Sequence, residues 1–169
     1  MRFLFLVLIH VVLSTHIFAQ QFEIGKANDH GNVLTADTVL LIKAITRTLN
    51  DGTVVSRLRI ESKNSYHYLV MEGANKTMKK IAAFTLSYHI SKRTYFAEKG
   101  LGYFTCTNAA CADCSLFTEQ GKINGCNCKE KATVSNQCNF TRVEQSLFYM
   151  NIIRAKYLMN SKRPAPHTN

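Results

Sequence analysis

Residues 54–90 read VVSRLRIESKNSYHYLVMEGANKTMKKIAAFTLSYHI, and this stretch decides the fold class. Val54 to Glu61 alternates: Val54, Ser56, Leu58 and Ile60 share one face, and Val55, Arg57, Arg59 and Glu61 the other, the period of a half-buried strand. Asn64-Ser65 supplies a turn. Tyr66–Met71 is apolar on both faces, as a central strand must be. Gly73 to Lys76 turns the chain again. Lys80 to Ile90 then sets Ala82, Phe84, Leu86, Tyr88 and Ile90 on one side. Strands joined by short polar turns predict an antiparallel β-meander.

The pattern extends in both directions. Downstream, Ser91–Arg93 turns, and Thr94–Ala97 and Leu101–Thr105 read as short strands around Glu98-Lys99-Gly100. Upstream, Asn50-Asp51-Gly52 is a hairpin signal, and Thr38–Leu49, rich in Thr, Val and Ile, reads as the partner strand. Thr35 as a cap and Asn50 through Gly52 as a stop would also frame a helix. Residues 20–37 are polar and predict a mobile lead-in with one short strand at Phe22–Ile24. The spacing over Val143 to Met159 suits a terminal helix lying on the sheet, with a buried strand at Leu147–Ile153 as the alternative. The fold class is mainly β, with α+β as the variant.

All six cysteines lie between Cys106 and Cys138, in the pattern C-x4-C-x2-C-x11-C-x-C-x9-C. Between Cys114 and Cys126, a turn near Gln120-Gly121 predicts a hairpin that sets Cys114 opposite Cys126, with Cys128 diagonal to it. Cys126 and Cys128 share a face and are not expected to bond to each other. The expected pairing joins Cys114 to Cys126 or Cys128, and ties Cys138 back to Cys106 or Cys111. A zinc site of Cys111, Cys114, Cys126 and Cys128 is the alternative use of the same sulfurs. The C-x4-C-x2-C spacing also matches a plant-type iron–sulfur ligand set, but that would leave Cys126 and Cys128 unused. Cys111-Ala-Asp-Cys114 lacks the βαβ setting of a thioredoxin-like redox pair.

The residues Cys106, Cys111, Cys114, Phe117, Gly125, Cys126, Cys128 and Cys138-Asn139 together resemble a C-terminal signature of small exported bacterial proteins of unassigned function. The resemblance implies export and supplies no catalytic residues.

Residues 1–19, MRFLFLVLIHVVLSTHIFA, have the layout of a secretory signal peptide cleaved before Gln20. The apolar run is broken by His10, Ser14, Thr15 and His16, whereas a spanning helix needs about 20 apolar residues. No transmembrane span is expected after cleavage. The domain organisation is therefore a signal peptide over 1–19, a polar lead-in over 20–37, one β-rich domain over 38–160 that includes the cysteine block 106–138, and a disordered tail over 161–169. Export to the periplasm or outside the cell places the cysteines where thiols oxidise, so three disulfides and no metal cofactor are expected.

The formal charge is +10, or +9 without the leader. Such a balance favours an anionic surface or polysaccharide as partner, while the scattered lysines and the export signal argue against nucleic acid. No serine elbow, HExxH or phosphate loop is present. Asn75-Lys-Thr77 and Asn139-Phe-Thr141 are glycosylation sequons. His67 and His89 fall in expected strands and could face each other, but neither has a ligand motif around it. The sequence points to a non-catalytic binding or interaction protein, with a cysteine-based zinc or redox protein as the alternative.

Overall fold

The computed structural model describes residues 21–76, 78–108, 114–128 and 138–161. Residues 1–19, where a signal peptide is expected, Cys111 and the residues from Lys162 onward lie outside them.

The meander forms as its alternation requires. Strands β3 (Val54–Lys63), β4 (Tyr66–Asn75) and β5 (Met78–His89) pair antiparallel, β3 with β4 across Asn64-Ser65. β4 runs on to Asn75, so the turn lies later than Gly73 suggests. β5 is the hub: one edge takes β4, and the other is split. Residues 79–84 pair with β7 (Tyr103–Asn108), and residues 87–89 pair with β6 (Thr94–Glu98). β7 also pairs with β10 (Asn139–Val143).

The polar lead-in is part of this sheet. β1 (Gln21–Asn28) pairs with β6, β2 (Gly31–Leu34) pairs with β1, and Ile24 is fully buried. The path β2-β1-β6-β5-β4-β3 curls until its ends meet. The amide Nδ2 of Asn32 donates across the seam to Ile60 O at 3.4 Å and Ser62 Oγ at 3.2 Å. Gly25 permits the approach, because a Cβ there would overlap Val33 O and Ile60 Cδ1.

Thr38–Leu49 is a helix, α1, and not the partner strand expected from its β-branched residues. Asp37, rather than Thr35, caps it: Oδ1 accepts from Val39 N at 2.8 Å and Leu40 N at 3.2 Å. Leu40, Leu41, Ala44 and Ile45 all fall on one face and are buried. Burial of that stripe overrides the weak residue propensity. Asn50-Asp51-Gly52 makes no hairpin. Asn50 ends the helix in the left-handed conformation, φ 47°. Asp51 then accepts from Thr53 N at 3.0 Å and Thr53 Oγ1 at 2.6 Å, and pairs with the largely buried Lys80.

The terminal segment is a helix as well, α2 (Phe148–Asn160), although Val143 belongs to β10 and the helix starts later than the apolar spacing suggests. Asn151 Nδ2 on α2 donates to Thr48 Oγ1 on α1 at 3.0 Å. Both helices pack on the inner face of the curl. There Ile24, Ile45, Leu69, Met71, Phe84 and Ile152 belong to one core, and Phe84 packs against Phe148 at 4.4 Å and Tyr103 at 5.2 Å.

Candidate binding cleft

The outer face of the sheet is covered by the cysteine block. β8 (Cys114–Glu119) and β9 (Lys122–Cys128) form a hairpin with Gln120 and Gly121 at its tip, at φ 49° and 89°. Positive φ at both positions is the signature of a tight two-residue turn, as the sequence predicts. A Cβ on Gly121 would overlap Lys63 O, so the tip docks against the β3–β4 turn only as glycine. Ile123 is buried among Tyr68, Val70, Ala83 and Phe104. The buried Tyr68 hydroxyl donates to Gly121 O at 3.4 Å and accepts from Ile123 N at 3.3 Å. Burial raises the Tyr68 pKa above its ordinary value, against the opposing hydrogen bond from Ile123.

The register departs from the sequence expectation. Thr118 pairs with Ile123 but Phe117 pairs with Gly125, so Asn124 is an extra residue. A bulge of this kind reverses which side chains face the sheet. It puts Cys114 opposite Cys128, not Cys126, and turns Cys114, Cys126 and Cys128 towards the sheet with Leu116. The disulfides follow that direction. Cys106 on β7 bonds Cys126 on β9 with Cα atoms 5.8 Å apart, and Cys114 on β8 bonds Cys138 beside β10 at 6.1 Å. The expected bridge from Cys114 across the hairpin and the expected return of Cys138 to Cys106 or Cys111 are both wrong. Backbone pairing already joins β8 to β9, and side chains standing perpendicular to the hairpin reach the sheet instead. Cys126 and Cys128 do not bond to each other, as expected. Of the four zinc-alternative residues, Cys114, Cys126 and Cys128 are thus in disulfides and Cys111 lies outside the described residues.

At the Cys114 end the hairpin and the sheet frame a cleft of about 500 Å³, lined by Val54, Ser56, Glu72, Ala74, Lys79, Ile81 and Cys114. Its shape depends on a second bulge. Val55 pairs with Gly73 and Arg57 with Glu72, leaving Ser56 extra. The simple alternation therefore fails here: Val55 joins the inner core, while Val54 faces out into the cleft, 74% exposed. Ser56 Oγ donates to Glu72 O at 3.0 Å. The carboxylate of Glu72 pairs with Arg59, which also bonds Glu61 at 2.6 Å. The cleft is thus lined by apolar Val54, Ala74 and Ile81 together with the charged Glu72 and Lys79.

His67 and His89 do not meet. Register puts His67 beside Leu86 on the inner side, where its ring contacts Tyr88 at 4.9 Å and Tyr95 at 5.4 Å. His89 packs against Phe96 with the rings tilted and their centroids 4.7 Å apart, and contacts Gln21 Nε2 at 3.3 Å. His67 Nδ1 lies 3.0 Å from Ser62 Oγ, the distance of a serine–histidine pair, but the protons run the other way. Tyr95 donates to Asn32 Oδ1 at 2.7 Å, so its oxygen takes the Ser62 proton at 3.0 Å. Ser62 Oγ then accepts from Asn32 Nδ2 and from His67 Nδ1–H. Its one donor and two acceptor sites are all in use at the β2–β3 seam. This cluster locks the seam, and burial lowers the His67 pKa.

Among the described residues no group of three His, Cys, Asp or Glu side chains could hold a metal ion, and no helix is long and apolar enough to cross a membrane. Neither sequence bulge carries a local signal, so Val54 and the sheet-facing cysteines could be placed only from the register. No family model matches this chain, and neither a curated protein nor a solved structure matches it.

Proposed function

We propose that the chain is an exported, disulfide-braced binding protein whose ligand occupies the cleft between the cysteine hairpin and strands β3–β5. The observation that carries this reading is the Ser56 bulge, which turns Val54 out of the core and presents it, 74% exposed, in a cleft it lines with Ala74 and Ile81. Bulges re-aim side chains, and an apolar side chain held in a partly enclosed cleft with charged groups is a contact surface. The cleft has the size of small-ligand sites, which run from about 300 to 1,000 Å³. Disulfides fit an oxidising compartment, and the export leader accounts for it. The ligand class is a small molecule with an apolar body and a charged or hydrogen-bonding end, matched to apolar Val54, Ala74 and Ile81 and to charged Glu72 and Lys79.

The test is a fragment screen read by protein NMR on the exported chain. Binders should shift the resonances of Val54, Ala74 and Ile81, and Val54→Asp should abolish those shifts while the thermal midpoint stays unchanged. Binders that map elsewhere, or that bind Val54→Asp as well as the parent, would contradict the assignment.

A further inference from the structure

Helix α2 is apolar on two opposite faces. Phe148, Ile152 and Ala155 are buried in the inner core. On the other side Leu147, just before the helix, and Met150, Ile153, Tyr157 and Leu158 are exposed, Leu147 by 68% and Tyr157 by 73%. At helical spacing these five lie on one stripe. By contrast, α1 turns Lys43, Thr46 and Arg47 to solvent. Single exposed apolar side chains are ordinary, but a contiguous row on one helix marks a contact surface.

The charge around the stripe says what covers it. α2 contains no acidic residue, and it carries Arg154 within the stripe and Lys156 on its flank, both exposed. The acid just before it, Glu144, is paired with Arg142 at 2.8 Å. The sequence continues past Ser161 as Lys162-Arg163. A second copy docked face to face would set Arg154 against Arg154 between chains that each carry a formal charge of +10, or +9 without the leader. Like charge opposes that occupant, and negative charge is what the surface complements.

We propose that the outer stripe of α2 seats on an anionic lipid bilayer. Leu147, Met150, Ile153 and Tyr157 enter the boundary between headgroups and acyl chains, and Arg154 meets the lipid phosphates. Apolar burial in the interface plane combined with basic attraction is how a helix binds to a membrane surface without spanning it. Tyr157 suits that depth, with an apolar ring and a polar tip.

The experiment is co-sedimentation of the exported chain with vesicles of phosphatidylcholine alone and of phosphatidylcholine mixed with phosphatidylglycerol. The chain should bind the mixed vesicles in preference. The L147S/Y157S double variant should bind them at least about tenfold more weakly, and Arg154→Gln about fivefold more weakly. Both serine positions are exposed, so the thermal midpoint of the double variant should match the parent, which separates loss of binding from loss of fold. All variants share one N-terminus, so the difference between them reports on α2. The proposal is overturned if the folded parent fails to bind the mixed vesicles, binds both kinds equally, or loses nothing in L147S/Y157S. A concentration-dependent dimer that the double variant makes monomeric would also overturn it, by seating a second copy on the stripe.

Discussion

Among the described residues, sixteen buried residues drawn from five strands and both helices form one cluster on the inner face of the sheet, with Phe84 packed between Phe148 and Tyr103. Among the described residues of the outer face, Tyr68, Val70, Ala83, Phe104 and Ile123 form a smaller cluster, and disulfides at Cys106–Cys126 and Cys114–Cys138 fasten the cover to β7 and to the approach to β10. Each fully buried large side chain stabilises by about 1.5–3 kcal/mol, so the inner face holds its helices by burial alone. A lone hairpin is marginal in water, and Ile123 with Leu116 gives β8–β9 too little apolar area to dock unaided. The difference teaches that the crosslinks serve the outer cover, where the candidate cleft lies, rather than the fold as a whole.

Substitutions can break that comparison. Phe84→Ala should cost about 3–5 kcal/mol in urea unfolding, because it opens a cavity that neighbours from three elements cannot fill. Replacing Cys106 and Cys126 together with serine releases a crosslink spanning 20 residues of sequence. In the chain-entropy view that removes roughly 3 kcal/mol, and most of it should appear as local release of the hairpin. A double cysteine variant that unfolds globally at lower urea than Phe84→Ala would reverse the assignment of roles.

Smaller effects sharpen it. Asp37→Ala should cost about 1 kcal/mol, because two α1 backbone N–H groups lose their acceptor, and Asp37→Asn should restore most of that loss. The smallest effect is at the seam. Burial keeps the His67 pKa below its ordinary value of 6.5. The unfolded chain therefore takes up this proton more readily than the folded one. The contribution of His67 is present above about pH 6.5 and is lost as pH falls below it. His67→Gln should flatten the unfolding midpoint over that acidic range and leave it elsewhere as in the parent.

The meander was legible because β4 and β5 keep strict strand period through Tyr68–Met71 and Ala82–Tyr88, and because Gln120-Gly121 can form only a few kinds of turn. α1 was hidden by its own residues. Thr38, Val39, Ile42 and Thr46 favour strands, and what makes the segment helical is a buried stripe at 40, 41, 44 and 45 against partners distant in sequence. The cleft and the disulfides were illegible for one shared reason. A bulge adds one residue at Ser56 and one at Asn124, and each reverses the side-chain faces beyond it. The alternation rule then places Val54 in the core and aims the cysteines across the hairpin. The β2–β3 seam was missed because it closes through side chains, Asn32 to Ile60 and Ser62, in a segment whose composition reads as a loop.

The most direct test of the central claim is amide hydrogen exchange on the oxidised chain before and after reduction and alkylation. We predict that protection is lost across residues 114–128 and at Asn139–Val143. The amides of β4, β5 and α1, above all Leu69, Phe84 and Ala44, should keep protection close to that of the oxidised protein. Loss of protection throughout β4, β5 and α1 on reduction would contradict the account, and would make the crosslinks a requirement of the whole fold.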